Sequence, residues 1–425
     1  MTLIKTSLLN GIAVVIKMLT LLGVNKILAL YVGPSGYAAI GQLQNALTMI
    51  TSLSSGAVNT GVIKYTAEYV DQPLKLHSLW KTSIILAIVC SLIIGIVVAL
   101  LSSDLSLYFF KTTEFTSVFQ WVSVSLIFFT VNLFLLSVIN GRKDIYTLVW
   151  ANILGSILSL IVITVLTAYW GLYGALISLV VYQAVAFVST VLICFNTKWF
   201  KVKYFFGKFD KKIAFNLSKY AAMALTTAAC VPLSQILIRN HLVSSYGADF
   251  AGYWEAMWRL SSAYLLFVTT TLGVYYLPRL SEITCANEMI SEILNGYKIL
   301  LPLAFICSVI VFLARDIIIN ILFSSEFTPM RELFAFQLFG DVMKIGSWIL
   351  AYVMLGKSMF RLYISTEIIF SISFYFLVLL FTHLHGFEGV VEGYAVNYVL
   401  YWVVIGLCVW RNLKIINYAS EEVKP

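Results

Sequence analysis

The most restrictive feature of this chain is an acid and a base buried in an apolar run. From about Leu333 to Leu355 the sequence is apolar for long enough to cross a bilayer as a helix, which takes roughly 20 residues. Asp341 and Lys344 nevertheless lie inside that run. Asp341 is eight residues in from Leu333, about 12 Å at the rise of a helix, too deep for a short carboxylate to reach the surface. A charge on the lipid side at that depth costs roughly 2.5–3.5 kcal/mol on insertion scales. This face of the helix must therefore look into protein or a watery cavity. Three-residue spacing puts both groups on one face and predicts that they pair.

The surrounding chain has the character of walls for such a cavity. Only 11% of its 425 residues are charged, where a soluble domain carries about 25%, so a polytopic membrane protein is expected. Apolar runs occur at about 8–30, 38–63, 82–101, 118–139, 146–168 and 172–195. The second half continues at 221–242, 251–277, 299–313, 333–355, 362–381 and 390–410. The first run is preceded by a lysine, as in a signal peptide. It contains Lys17 and Lys26, outlasts an ordinary h-region and lacks a small-x-small cleavage site, so it reads as a retained span. The fold class is thus all-α, with about twelve transmembrane helices.

Lysine and arginine placement sets the expected orientation. With the N-terminus inside, the inner segments hold about 20 Lys and Arg, against Lys111, Arg315 and Arg331 outside. Both termini are expected in the cytoplasm. The net charge of +8 is then mostly topology. Its densest run, Lys198 to Lys212, joins spans six and seven. Interleaved aromatics there could stack bases, but a basic linker lying on anionic membrane lipids explains the run better, and no nucleic-acid partner is expected.

Several chemistries are excluded. The six cysteines are scattered without a C-x-x-C or a nearby histidine, so neither a metal site nor a disulfide frame is expected. No phosphate-cradling G-x-x-x-x-G-K-[ST], H-E-x-x-H or G-x-S-x-G motif occurs, and no cofactor is implied. The connections are too short to hold a catalytic domain outside the membrane.

The chain also repeats itself. Glu114-Phe-Thr116 recurs as Glu326-Phe-Thr328 and Gly61-Val62 as Gly273-Val274, both 212 residues on. Val138-Ile-Asn-Gly141 resembles Val353-Met-Leu-Gly356, and Gly171-Leu-Tyr-Gly174 resembles Gly386-Phe-Glu-Gly389, both 215 residues on. Four matches in one order point to a duplication. The expected domains are a six-helix lobe over 1–200, a basic linker over 201–212 and a second six-helix lobe over 213–425. Even-numbered halves insert the same way up, as a parallel repeat with the site between them.

Polar stripes mark the candidate site. In the second span Asn45, Thr48, Ser52, Ser55 and Asn59 fall on one helical face. They are either helix–helix glue or cavity lining. Glu255 and Arg259 in the eighth span are spaced to pair towards an aqueous centre. Asn25-Lys26 and Arg239-Asn240 sit at matching places, 214 residues apart. Lys26 and Arg239 either face the cavity or snorkel to the outer interface. Lys17, in mid-span, has no such escape. Glu367 is buried in the eleventh span and suited to a cavity cation; with Glu255 and Asp341 it is a candidate for ion coupling.

Inside the spans, Lys17, Lys26, Arg239, Arg259 and Lys344 oppose Glu255, Asp341 and Glu367. A cavity with this cationic excess calls for an anion, and phosphate or pyrophosphate suits Arg and Lys together. The hydroxyl and amide stripes suit a sugar. An amphiphile with a pyrophosphate, a glycan and a lipid tail would use all of these features.

The residues Val32-Gly-Pro-Ser-Gly36, Thr60-Gly-Val-Ile-Lys-Tyr65, Leu217-Ser-Lys-Tyr220, Tyr276-Leu-Pro278 and above all 327–367 carry a family resemblance. The chain resembles the Wzx-type flippases of the polysaccharide transporter family, the O-antigen and enterobacterial common antigen (lipid III) flippases. These belong to the multidrug/oligosaccharidyl-lipid/polysaccharide exporter superfamily. The resemblance implies two six-helix lobes around a central cationic cavity. It implies transfer of undecaprenyl-pyrophosphate-linked oligosaccharide to the periplasmic leaflet of a bacterial inner membrane, without enzymatic chemistry. A monomer is expected, with an O-antigen polymerase and a chain-length regulator as possible partners. Two alternatives stay open: a multidrug/cation antiporter of the same superfamily, which would want an acidic cavity, and a membrane polymerase or ligase, which would want a large outer loop.

Overall fold

In a computed structural model, residues 3–421 are described apart from positions 57, 277, 278, 281, 282, 284 and 358. Leu277 and Pro278 of the Tyr276-Leu-Pro278 motif therefore lie outside the described residues. Thirteen α-helices and no strand occur among the described residues. They are α1 (Leu3–Ser54), α2 (Asn59–Glu68), α3 (Pro73–Leu100), α4 (Ser102–Phe110), α5 (Thr116–Gly141), α6 (Ile145–Phe195) and α7 (Lys211–Tyr246). Then come α8 (Ala248–Thr271), α9 (Ala286–Leu313), α10 (Arg315–Leu322), α11 (Phe334–Gly356), α12 (Phe360–His385) and α13 (Gly389–Glu421).

Seven helical stretches among the described residues are long and apolar enough to cross a membrane. Three of them, Gly11–Ser54, Ile145–Phe195 and Phe360–Asn412, have 44, 51 and 53 residues, about twice what one crossing needs. Each is broken by a glycine with positive φ: Gly33 (68°), Gly171 (55°) and Gly386 (73°). Each therefore supplies two spans. The remaining two expected spans correspond to α7 and α8. Large apolar side chains such as Leu100, Ile299 and Leu407 are exposed. In water they would drive aggregation; in a bilayer they are the solvated surface.

The G-x-x-G matches in sequence have a physical cause. The first glycine of each takes the left-handed conformation that turns the chain back. At the fourth position a Cβ on Gly174 would meet the Leu166 carbonyl oxygen at 1.9 Å, and one on Gly389 the Phe381 carbonyl carbon at 2.2 Å. Only glycine lets the returning helix lie this close to its predecessor. Element boundaries follow the same duplication. Pro73–Leu100 and Ala286–Leu313 have 28 residues each and start 213 apart, and each is followed at once by a short helix. The glycine breaks at Gly33 and Gly247 are 214 positions apart.

The chain divides into two compact units, one of residues 1–32 with 39–233 and the other of 33–38 with 234–425. The first is built around α3, α5 and α6, with Trp80, Phe134, Val138 and Phe205 in its core. The second is built around α11, α12 and α13, with Tyr276, Ile349, Met354 and Ile405 at its centre. The division falls within α7, next to Pro232.

Candidate functional site

The second unit gathers the charged residues into two clusters. The first is made by α7 and α8, which meet at Gly247 (φ 102°). Arg239 and Glu255 each lie eight residues from that turn, so an antiparallel hairpin brings them to the same depth, about 12 Å from it. An Arg239 Nη2–H donates to Glu255 Oε2 at 2.5 Å, and Arg259 Nε–H donates to Glu255 Oε1 at 2.8 Å. One carboxylate thus serves two guanidinium groups. Arg239 is 1% exposed and its guanidinium lies over the Trp254 ring at 5.4 Å. It does not snorkel: its counter-ion holds it inside. Arg259 is 13% exposed and faces the Tyr37 ring at 5.7 Å. Tyr37 is held in turn by Phe323 and Phe327. The segment that carries it packs backbone to backbone on α8, since a Cβ on Gly252 would sit 1.8 Å from the Pro34 carbonyl oxygen. The Gly33-Pro34 turn and Phe327 therefore both support Arg259 through Tyr37.

The second cluster surrounds Asp341, which is fully buried. Its carboxylate accepts from Ser261 Oγ at 2.7 Å, from the Tyr264 hydroxyl, from the Tyr394 hydroxyl at 2.6 Å and from Gln337 Nε2 at 3.4 Å. Lys344 does not complete this set. Its ammonium sits among four rings instead: Trp258 at 4.6 Å, Trp348 and Tyr398 both at 5.1 Å, and Tyr394 at 5.5 Å. The direct pairing expected from their spacing is thus corrected. Neutral donors from α8, α11 and α13 stabilise the anion, and ring faces stabilise the cation, each ring contributing up to about 2 kcal/mol when desolvated. Tyr394 belongs to both environments, donating its hydroxyl to the acid and presenting its face to the base.

Glu367 is also held by a hydroxyl, accepting from Tyr401 at 2.9 Å. Tyr394, Tyr398 and Tyr401 follow one another along α13, with ring centroids 4.8 and 6.1 Å apart. These tyrosines, with Trp258, Ser261 and Tyr264, were not among the residues that sequence reasoning selected. The four- and three-residue spacing of the tyrosines was the available signal, but it is equally the spacing of any packed face.

The remaining candidates belong to the first unit. Asn25 and Asn45 are buried, Lys26 and Ser52 half-buried, and Lys17 exposed. The Asn45 amide nitrogen finds no partner among the described residues. The stripe expected over 45–59 is not one continuous face. α1 ends at Ser54, Gly56 takes φ 60° and Asn59 opens α2. Thr48, Ser52 and Ser55 turn their hydroxyls back onto the carbonyls of Gln44, Thr48 and Ser52. Such local bonds bend a helix and weaken its end, which accounts for the break. Ser54, outside the stripe, bonds Thr130 at 3.0 Å and acts as the glue between α1 and α5.

Comparison with known proteins supplies the family. Residues 3–284 match the family described as polysaccharide biosynthesis protein. The chain belongs to that family. It is 30% identical over 421 residues to the lipid III flippase of Escherichia coli (strain K12), covering 97% of this chain and 100% of the relative. The lipid III flippase of Shigella flexneri matches to the same extent. Among solved structures, the inward-facing conformation of a multidrug resistance MATE family transporter of the MOP superfamily matches with TM-score 0.81. It is 14% identical and covers 95% of this chain and 96% of that one. A MOP superfamily transporter from Pyrococcus furiosus matches with TM-score 0.66 at 13% identity, covering 95% and 96%. The chain therefore has the MOP transporter fold and is a multi-pass membrane protein. Its near full-length relatives are flippases, which move molecules without covalent chemistry, and the polymerase or ligase alternative falls away.

Proposed function

We propose that this chain is a flippase for a lipid-linked oligosaccharide, an undecaprenyl-pyrophosphate-linked O-antigen unit or a related glycan. It would move that substrate from the cytoplasmic to the periplasmic leaflet of a bacterial inner membrane by alternating access. The observation that carries the proposal is the end-to-end likeness to the lipid III flippases. The charge pattern supports it: five cations against three acids within the spans favour an anionic headgroup over a cationic drug. The MATE likeness bears on the fold alone and gives the antiporter alternative no further support.

Arg259 is the substrate-facing cation of its cluster in this proposal, and Glu255 and Arg239 position it. Lys17, Lys26 and Lys344 add to the attraction for pyrophosphate, while Asn25, Asn45, Ser52 and Asn59 supply partners for sugar hydroxyls. Asp341, Glu255 and Glu367 are the acids available to couple transport to an ion. The lobes are taken as 1–200 and 213–425, joined by the linker 201–212, and the repeated element boundaries support that division. The protein works as a monomer with both termini in the cytoplasm, and it hands its cargo to an O-antigen polymerase and chain-length regulator. The test is complementation: expression in a bacterium lacking its lipid-linked oligosaccharide flippase should restore surface glycan, and Arg259→Ala should not. Restored drug resistance without glycan export would instead support the antiporter.

A further inference from the structure

We propose that the segment Lys198 to Lys212 is a preformed membrane-surface anchor that docks on anionic lipid headgroups. The inference is independent of which cargo is carried. The segment is not a slack linker. Trp199 donates its indole N–H to Asp144 at 3.1 Å, and the Arg142 guanidinium lies over both the Trp80 and Trp199 rings, at 5.9 and 5.2 Å. Tyr204 stacks on His77 at 3.9 Å, and Phe205 is buried against Trp80 and Phe134. At its far end Asp210 accepts from the backbone N–H groups of Lys212 and Ile213, capping α7, while its own N–H donates to Thr82. The buried aromatics fix the backbone from Trp199 to Asp210 on the first unit.

What the pinned segment presents outward is of two kinds. Lys198, Lys201, Lys203, Lys208, Lys211 and Lys212 are all exposed, and none forms an ion pair with a carboxylate among the described residues. Between them Val202, Phe206 and Phe209 are 48%, 64% and 43% exposed. Only one acid, Asp210, lies within the run, and it is spent on the helix cap. Exposed phenylalanine set among lysines matches the headgroup boundary of a membrane, where rings enter the apolar edge and ammonium groups meet phosphates. Nucleic acid fits less well, because Trp199 and Phe205, the rings nearest a stacking platform, are already packed into protein.

Chymotrypsin cleavage after Phe206 and Phe209 reads the docked state directly. The full chain would be placed in nanodiscs of phosphatidylcholine alone or with added phosphatidylglycerol, with cleavage sites elsewhere as the reference. Cleavage should be strongly suppressed in the anionic discs and restored by high salt. Replacing Lys201, Lys203 and Lys208 by Gln should restore it at low salt, by roughly fivefold for each lysine removed, without altering cleavage in the zwitterionic discs. Equal cleavage in both lipids, or protection that salt does not relieve, would overturn the proposal. Protection that appears only on adding a polyprenyl pyrophosphate would also overturn it, assigning the segment to cargo.

Discussion

Removing the charge of Glu255 should unfold more of this protein than removing either arginine it binds. In Glu255→Gln the side chain keeps its shape, but Arg239 and Arg259 lose their shared counter-ion. Arg239, 1% exposed, has almost no access to water and loses the carboxylate that neutralises it, while its contact with the Trp254 ring remains. Stranding a buried charge in this way costs about 3–5 kcal/mol. Arg239→Gln leaves Glu255 paired with Arg259, so only a charge-assisted hydrogen bond is lost, about 1.5–3 kcal/mol. Arg259→Gln leaves the tighter Arg239 contact intact and removes the more exposed partner, so it costs least. The melting temperature of each purified variant, followed by size-exclusion after heating, should fall in the order Glu255→Gln, Arg239→Gln, Arg259→Gln. Joining Arg239→Gln to Glu255→Gln should recover part of the loss, because it removes the stranded cation. If Glu255→Gln melts with the wild type, or the double variant is worse than both singles combined, the shared-carboxylate reasoning is wrong.

Tyr394→Phe removes a donor from buried Asp341 while leaving a ring against Lys344, and should lower stability by about 1.5–3 kcal/mol in denaturant titration. It should also shrink the coupling measured between Asp341→Asn and Lys344→Met, since Tyr394 is the side chain both residues touch. Gly252→Ala places a methyl group against the Pro34 carbonyl and should reduce the yield of monodisperse protein, whereas Gly11→Ala, with nothing within 4 Å, should not. A pyrophosphate diester carries about two negative charges, each worth roughly 2.3 kcal/mol per 100 mV across the membrane. Collapsing the potential at constant pH gradient should therefore slow flipping in vesicles, and an unchanged rate would point to proton coupling instead.

Much of the fold was legible because lipid imposes a coarse rule, that long apolar runs become helices. The duplication was legible at Gly171 and Gly386 because a close turn accepts one residue type. The partners of the buried charges were not. Asp341 and Lys344 are near in sequence, yet apart from Gln337 and Trp348 on their own helix their stabilising groups come from α8 and α13, and local spacing carries no record of that packing. Arg239 looked free to snorkel for the same reason. Its partner sits across a hairpin, and only the turn at Gly247 reveals that positions 239 and 255 share a depth. The polar stripe failed differently: serine and threonine hydroxyls satisfied their own helix and broke it.

Transport of a lipid-linked oligosaccharide by purified protein is the most direct test of the proposed function. Vesicles would carry a fluorescent polyprenyl-pyrophosphate-linked oligosaccharide in one leaflet, with arrival in the other read by a membrane-impermeant quencher. Wild-type protein should move the lipid and Arg259→Ala, still folded, should not; an organic cation dye should be left where it is. Export of the dye with no movement of the lipid would contradict the flippase assignment.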